Sequence, residues 1–320
     1  MAIQLRPNIL ERPRDIAHPF EPTVVMTTTS YSLNTSSIGV IGAGRLGTTL
    51  ALALDARGGH VTWVASQDRA RAEELSTALT HAQAVSAEEL CAHASIVVLA
   101  TPDDALCELA ARLPFRAQQA VVHCSGALEL TALEGARVAG AALGCMHPIQ
   151  TFPVRFGDAS RFDGITIGIE ASDAALLAWL REACDALGAT ALELHGIDRA
   201  RYHAAAVFAS NYVIALHEAA ARAFELAGLP RDAARSALAP LTLGAANAAA
   251  ALPLERALTG PLGRGDVRTI ERHLAALASE PALAELYRSL AARLLKLPLA
   301  LGPADRAKLL AALGLAAEDR

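Results

Sequence analysis

From residue 38 onward, short apolar runs alternate with longer alanine-rich amphipathic segments. This alternation is typical of βαβ units on a parallel sheet. Ser86 and Glu89 form a capping box that begins a helix between two of the runs, and Asp103 or Asp104 can cap the next helix. The pattern predicts strands at residues 38–41, 61–65, 96–100, 120–123, 165–170 and 190–195, with a helix at 173–187 between the last two.

Beyond residue 196 the strand pattern stops. Residues 197–228 form one helical pattern that ends at Gly228, and a glycine-rich break at 260–266 precedes a helix that Asp266 can cap, at 267–277. We therefore predict a doubly wound α/β domain followed by an all-helical domain. The predicted boundaries are a flexible tail at 1–35, an α/β domain at 36–195 (core 36–153, extra strands 154–195), a helical domain at 196–297 and a peripheral segment at 298–320.

Composition narrows the classes of partner. The net charge of −5 is spread along the chain without a basic block, which argues against a nucleic-acid surface. No apolar stretch reaches the ~18 residues of a membrane span, and residues 1–20 lack the apolar core of a signal peptide, so we expect a cytoplasmic protein. The five cysteines are odd in number and lack metal-ligand spacing, which predicts reduced thiols and no metal. Small molecules remain as the expected partners.

A glycine-rich loop carries the clearest chemistry. Gly42, Gly44 and Gly47 follow an apolar strand directly and open an amphipathic helix. In this context the first glycine permits a tight turn, the second leaves room for a pyrophosphate, and the third lets helix and strand pack closely. The helix N-terminus, at Arg45 and Leu46, then favours an anion. The motif predicts a Rossmann domain that binds a dinucleotide; the alternative is a glycine turn without a ligand.

The end of the second strand favours NADP over NAD. An NAD site usually places Asp or Glu there, whereas this chain continues after Val64 with Ala65, Ser66 and Gln67. Ser66 and Arg69, with Arg45 nearby, can bind a 2′-phosphate. The alternative for the arginine is a solvated helix face. The predicted cofactor-binding set is Gly42, Gly44, Arg45, Leu46, Gly47, Ser66, Arg69 and Thr101.

Four further segments are distinctive: HCSGAL at 123–128, GCMHPIQTFP at 144–153, YHAAA at 202–206 with SNY at 210–212, and ALTGPLGRGD at 257–266. Together they resemble a bacterial family of Rossmann-like NADP oxidoreductases with a C-terminal domain of unknown function, over residues 36 to about 297. The family is related to pyrroline-5-carboxylate reductase, prephenate dehydrogenase, ketopantoate reductase and 6-phosphogluconate dehydrogenase. The resemblance implies dehydrogenase chemistry, a 6-phosphogluconate dehydrogenase-like helical domain and a homodimer.

One departure from those relatives changes the expected chemistry. Several of them place a catalytic lysine four residues before an asparagine on the first long helix of the second domain, but Val207 stands four before Asn211 here. We assign the proton donor to His147, beside Pro148, and we place this pair at the end of a further strand. The alternative is that His147 only hydrogen-bonds its loop.

Six other residues complete the predicted site. His203 and Asn211 complete the catalytic candidates, and they lie about 12 Å apart along a helix, too far for both to touch one small carbonyl. Ser125, Ser210, Thr259 and Arg264 are the substrate-binding candidates. The alternative for His203 is a buried structural histidine, and the alternative for Ser210 and Asn211 is hydrogen bonding between helices. Arg264 could instead form a local pair with Asp266.

We therefore expect an NADPH-dependent reductase of a small carboxylate-bearing keto acid, with a ketopantoate-like substrate as the first guess. The alternatives are an imine reductase resembling pyrroline-5-carboxylate reductase and an NADP-binding sensor or scaffold without turnover.

Overall fold

The computed structural model describes residues 30–316, which divide into two compact units between Ile197 and Asp198. Most of the predicted tail at 1–35 and the last four residues of the predicted peripheral segment lie outside the described residues. Within the tail, Leu33 is buried: its N–H donates to Glu182 Oε2 (3.2 Å) and its carbonyl accepts from the His60 N–H (2.9 Å). The first folded unit therefore begins before residue 36.

The first unit is built on one eight-stranded sheet. The strands are β1 Ile38–Ile41, β2 Val61–Ala65, β3 Gln83–Ala84, β4 Ile96–Leu99, β5 Ala120–His123, β6 Ala142–Pro148, β7 Thr166–Ala171 and β8 Thr190–Glu193. Their order in the sheet is β3-β2-β1-β4-β5-β6-β7-β8. Only β6 and β7 pair antiparallel, and every other neighbouring pair in this described sheet is parallel.

Helices cover both faces of this sheet, which is why its central strands are continuous apolar runs. The helices are α1 Arg45–Ala56, α2 Arg69–Ala78, α3 Ala87–His93, α4 Asp103–Arg112, α5 Glu134–Val138 and α6 Ala174–Ala186, with 3-10 turns at Leu130–Leu133 and Ala159–Phe162. One core contains Leu50 of α1 and Trp179 of α6, and the other contains Leu90 of α3 and Leu106 of α4, all fully buried.

The second unit is all helical in its described residues. Its helices are α7 Arg199–Ala209, α8 Asn211–Leu226, α9 Arg231–Ala251, α10 Leu254–Ala257, α11 Val267–Ala276, α12 Pro281–Leu294 and α13 Pro303–Ala312. The single helix predicted over 197–228 is divided at Ser210, whose φ of −126° and ψ of −75° leave the helical region. A small core forms where Ile270, Leu295 and Leu309 of the later helices meet.

The long helices α7 to α9 expose large apolar side chains. Ile214 is 71% exposed, and Phe208 and Leu241 are both 69% exposed. The stretch Arg199–Leu226 is long and apolar enough to cross a membrane by length and composition, although only 6% of its most apolar window is buried. These helices therefore leave several large apolar side chains exposed.

The predicted fold class is confirmed: a doubly wound α/β unit precedes a helical unit. The predicted caps hold at Ser86, which accepts from the Glu89 N–H, and at Asp266, which accepts from the Thr269 N–H. Neither Asp103 nor Asp104 caps α4, because Pro102 occupies the cap and Asp103 is already helical. The short edge strand β3 went unpredicted because two residues show no alternation.

Candidate cofactor and substrate site

Each of the three glycines in the loop after β1 is required, or leaves space, for a different local reason. Gly42 has φ +114°, and a Cβ there would lie 2.5 Å from the Ala100 carbonyl oxygen. A Cβ on Gly47 would lie 1.9 Å from the Gly42 carbonyl oxygen, so that position requires close backbone packing. A Cβ on Gly44 would meet nothing within 4 Å. Gly44 is thus the one glycine of the motif whose absent side chain leaves open space for a ligand.

The start of α1 is suited to an anion. Gly44 is its N-cap and supplies no side-chain acceptor, so the first-turn N–H groups are left for a ligand. Thr101 follows β4 next to this turn, with its backbone N 3.3 Å from where a Gly42 Cβ would lie. The Thr101 hydroxyl is buried and has no hydrogen-bond partner among residues 30–316. An open cradle beside an unpaired hydroxyl fits the phosphates of a dinucleotide.

The two arginines in the first turn of α2 form ion pairs. Arg69 pairs with Glu73 (2.8 Å) and Arg71 pairs with Asp68 (2.9 Å), while Asp68 also caps α2. These pairs are exposed, and such pairs contribute at most about 1 kcal/mol, so a phosphate can compete for the guanidinium groups. Arg45 is exposed and forms no ion pair within the described part of the chain.

Arg155 lies at the glycine loop, although sequence reasoning did not select it. Its Nε donates to the Ala43 carbonyl (3.0 Å), and its Nη1 pairs with Glu74 Oε2 (2.8 Å). The loop that carries it has no hydrophobic period, and nothing local distinguishes this arginine from a solvated one. The signal appears only when residues 112 positions apart are brought together.

His147 and Ser125 lie on neighbouring strands. His147 is the penultimate residue of β6, half-buried and opposite Gly168 of β7, and Ser125 follows the end of β5. Because β1, β4, β5 and β6 are parallel, these residues and the glycine loop share the carboxyl edge of the sheet, where doubly wound proteins bind ligands.

The Ser125 hydroxyl already has protein partners. It donates to Asp103 Oδ2 (2.8 Å) and accepts from the N–H groups of Ala127 and Leu128 (3.2 and 3.1 Å). The Ser125 N–H donates to Nδ1 of the buried His123 (3.2 Å). Ser125 therefore shapes the turn after β5, and a ligand would have to replace Asp103 to bond its hydroxyl.

The helical unit holds the other predicted residues. The Ser210 hydroxyl donates to the Ala206 carbonyl (2.7 Å) and lies 3.0 Å from Asn211 Oδ1, at the break between α7 and α8. His203 is half-buried on α7, and Asn211 is exposed at the start of α8. Ser210 and Asn211 thus come together, and part of the hydrogen-bonding capacity of Ser210 serves the helix break.

Thr259 and Arg264 are both exposed on the loop between α10 and α11. Arg264 forms no ion pair among the described residues, because Asp266 instead accepts from the Thr269 N–H and hydroxyl (3.1 and 2.8 Å). Those hydrogen bonds from Thr269 lower the pKa of the Asp266 carboxyl. The guanidinium of Arg264 is therefore available to a carboxylate ligand.

A cavity of about 490 Å³ lies elsewhere in the helical unit, between α9, α10 and the end of α12. Its lining is mainly apolar, with Leu254, Leu258 and Leu297 among the walls, and it includes Arg293 and Lys296. None of the predicted site residues lines it, so we do not place the reaction there. No group of three His, Cys, Asp or Glu residues that could hold a metal occurs among residues 30–316.

Family models match both units of the chain. Residues 26–148 match the Rossmann-like domain, and residues 165–294 match DUF2520, a domain of unknown function. The chain therefore carries a segment that matches a Rossmann-like domain, followed by a segment that matches DUF2520. No curated protein matches this chain at a significant level.

Several solved structures are similar to this chain over most of its length. A protein of Bacteroides fragilis described as a putative NADP oxidoreductase is 29% identical, with a TM-score of 0.69 over 82% of this chain and 99% of that one. A protein of Thermotoga maritima is 25% identical, with a TM-score of 0.64 over 80% and 96%. The 1-pyrroline-5-carboxylate reductase of Streptococcus pyogenes is 18% identical, with a TM-score of 0.56 over 88% and 99%, which shows a shared fold.

Proposed function

We propose that this protein is an NADP(H)-dependent oxidoreductase that reduces a small carboxylate-bearing keto substrate. The observation that carries the proposal is the loop at Gly42 to Gly47, where Gly44 leaves open space before the unpaired N–H groups of α1. The Bacteroides fragilis protein, which resembles this chain over most of its length, is described as a putative NADP oxidoreductase.

The described residues fit NADP(H) better than NAD(H). The N–H groups at Arg45 and Leu46 would hold the pyrophosphate, and Thr101 would supply its unpaired hydroxyl. Ser66 and Arg69 would bind the 2′-phosphate, since no acid follows β2 that would accept the ribose hydroxyls of NAD(H). Bound NADPH supplies a hydride, and the protein must supply orientation and a proton.

His147 is the proton donor in this proposal. It lies at the carboxyl edge of the sheet, as the glycine loop does, and an imidazole can donate a proton near neutral pH. The lysine that several relatives use is replaced by Val207, so the acid has to come from another element. His203 then binds the substrate rather than protonating it, and Ser125, Ser210, Asn211 and Thr259 are assigned to substrate contacts or to orienting the nicotinamide.

Arg264 supports a substrate that bears a carboxylate. Its guanidinium is exposed and has no ion pair among the described residues, and it can bind a carboxylate with two parallel hydrogen bonds. Ketopantoate-like 2-keto acids satisfy this requirement, and so do cyclic imino acids.

The test is a panel of 2-keto acids and cyclic imines. Oxidation of NADPH with each compound is measured by the loss of its absorbance, and NADH is the control cofactor. Oxidation of NADPH by keto acids, lost in Arg264→Met, is the expected result. Oxidation by imines alone would move the assignment to an imine reductase. NADPH binding without turnover on any substrate would favour a sensor or scaffold and refute the enzyme proposal.

We also propose that the protein is a cytoplasmic homodimer through α7 to α9. Phe208, Ile214 and Leu241 expose apolar surface that water disfavours, and a second copy would bury it. A membrane is the weaker occupant, because Glu218 and Arg222 on α8 form ion pairs with Arg231 and Glu280 of the same unit. The five cysteines are free thiols, as expected in a reducing compartment.

A further inference from the structure

A connecting segment passes beside the cofactor loop. We call residues 149–163, between β6 and β7, the strap. Phe152 and Phe162 pack together at 5.4 Å, and a Cβ on Gly157 would lie 3.0 Å from Thr49 Oγ1 of α1. At its far end, Asp163 pairs with Arg57 (2.6 Å), at the C-terminus of α1. The strap is therefore packed along α1 and fixes the backbone around residue 155.

Arg155 of the strap has unused hydrogen-bonding capacity. Its Nε and Nη1 bond the Ala43 carbonyl and Glu74, whereas its Nη2 is buried and has no partner among residues 30–316. The guanidinium also lies 5.1 Å from the ring of Phe156, whose φ of +53° is rare for a residue with a side chain. A buried unpaired N–H on a charged group is unfavourable unless a ligand satisfies it.

Arg155 connects the glycine loop to α2. Ala43 stands between the two glycines that flank the pyrophosphate position, and Glu74 is on α2, the helix that follows β2. In a doubly wound dinucleotide domain the end of the second strand faces the adenosine ribose. Arg155 thus bridges the two elements between which a 2′-phosphate has to fit.

We propose that Arg155 binds the 2′-phosphate of NADP(H) and that Glu74 is the carboxylate which this phosphate displaces. The inference rests on the proposed cofactor and adds a residue that determines its specificity. A phosphate monoester carries close to two negative charges at neutral pH, and it can accept two hydrogen bonds from one guanidinium. It therefore competes well with the single charge of Glu74, whose side chain is half exposed.

In the experiment, nucleotide-free protein is titrated with NADPH and, separately, with NADH. Binding is measured by nucleotide fluorescence and by calorimetry. Arg155→Met should raise the NADPH dissociation constant at least roughly tenfold, with less than about threefold change for NADH. Glu74→Gln should act in the opposite sense and tighten NADPH about two- to fivefold, since it removes the competing carboxylate. Arg155→Lys keeps the charge without the paired N–H groups and should lie between wild type and Arg155→Met.

Asp163→Asn is the matched control, because it loosens the strap at the end away from the glycine loop. It should leave both dissociation constants unchanged, and thermal melts check that each variant folds. Equal weakening of NADPH and NADH in Arg155→Met, or the same loss in Asp163→Asn, would overturn the assignment in favour of a structural role. Unchanged NADPH binding in Arg155→Met would overturn it as well. A wild-type protein that binds neither nucleotide would refute the proposed function itself.

Discussion

Replacing Gly44 by alanine separates ligand binding from folding at the glycine loop. The backbone there has φ −80° and ψ −167°, which alanine adopts without strain, and the added methyl meets no atom within 4 Å. Alanine is a poorer N-cap than glycine, which sets the expected loss of stability at about 0.5 to 1 kcal/mol. The variant should therefore fold.

The same methyl should interfere with the cofactor. It enters the space in which phosphate oxygens reach the N–H groups at the start of α1. A hydrogen bond to a charged group contributes about 1.5–3 kcal/mol, so losing one costs roughly that amount. At about 1.4 kcal/mol per tenfold, NADPH affinity should fall by a factor of roughly 10 to 150.

The assay pairs a thermal melt of the nucleotide-free protein with an NADPH titration. Gly47→Ala is the contrasting variant: its Cβ would lie 1.9 Å from the Gly42 carbonyl oxygen, so it should lose about 3 kcal/mol or more of folding stability. Wild-type NADPH affinity in Gly44→Ala would refute the reasoning, because it would show that the phosphates bind elsewhere. A large drop in its melting temperature without NADPH would refute the claim of open space.

Three further outcomes are expected. His147→Ala should lower kcat/KM by about 10²–10⁴ with NADPH affinity unchanged, whereas His203→Ala should mainly raise KM; collapse of turnover only in His203→Ala would move the acid to the helical unit. Light scattering at micromolar concentration should give twice the chain mass for wild type and the chain mass for Ile214→Glu, and a monomeric wild type would contradict the dimer. In native protein at pH 8, Ellman's reagent should react quickly with Cys107 alone, because burial raises the pKa of Cys91 and Cys184 to about 12; fast reaction of more than one thiol per chain would contradict this.

Part of the candidate site could be proposed from the sequence because the signals for it are local. Gly42, Gly44 and Gly47 lie within six positions, and the turn they form depends on the missing side chains of those positions and on the strand directly before them. The carboxyl-edge position of His147 follows similarly, since a parallel sheet collects the ends of successive strands at one edge. The preference for NADP rests on the absence of an acid after Val64, which is also visible in the sequence.

The sequence by itself determined the alternation of strands and helices apart from the two-residue strand β3, the change to an all-helical unit and the glycine loop, because alternation, glycine spacing and caps act over a few residues. Only the tertiary structure decided the helix break at Ser210, the hydrogen bond from the Ser125 hydroxyl to Asp103, and the hydrogen bond from Arg155 to the Ala43 carbonyl. Each of these depends on where a backbone or side-chain atom finds its hydrogen-bond partner once the chain has packed. Residues 43 and 155 carry no mark of each other in the sequence, because their contact results from the path of the strap along α1.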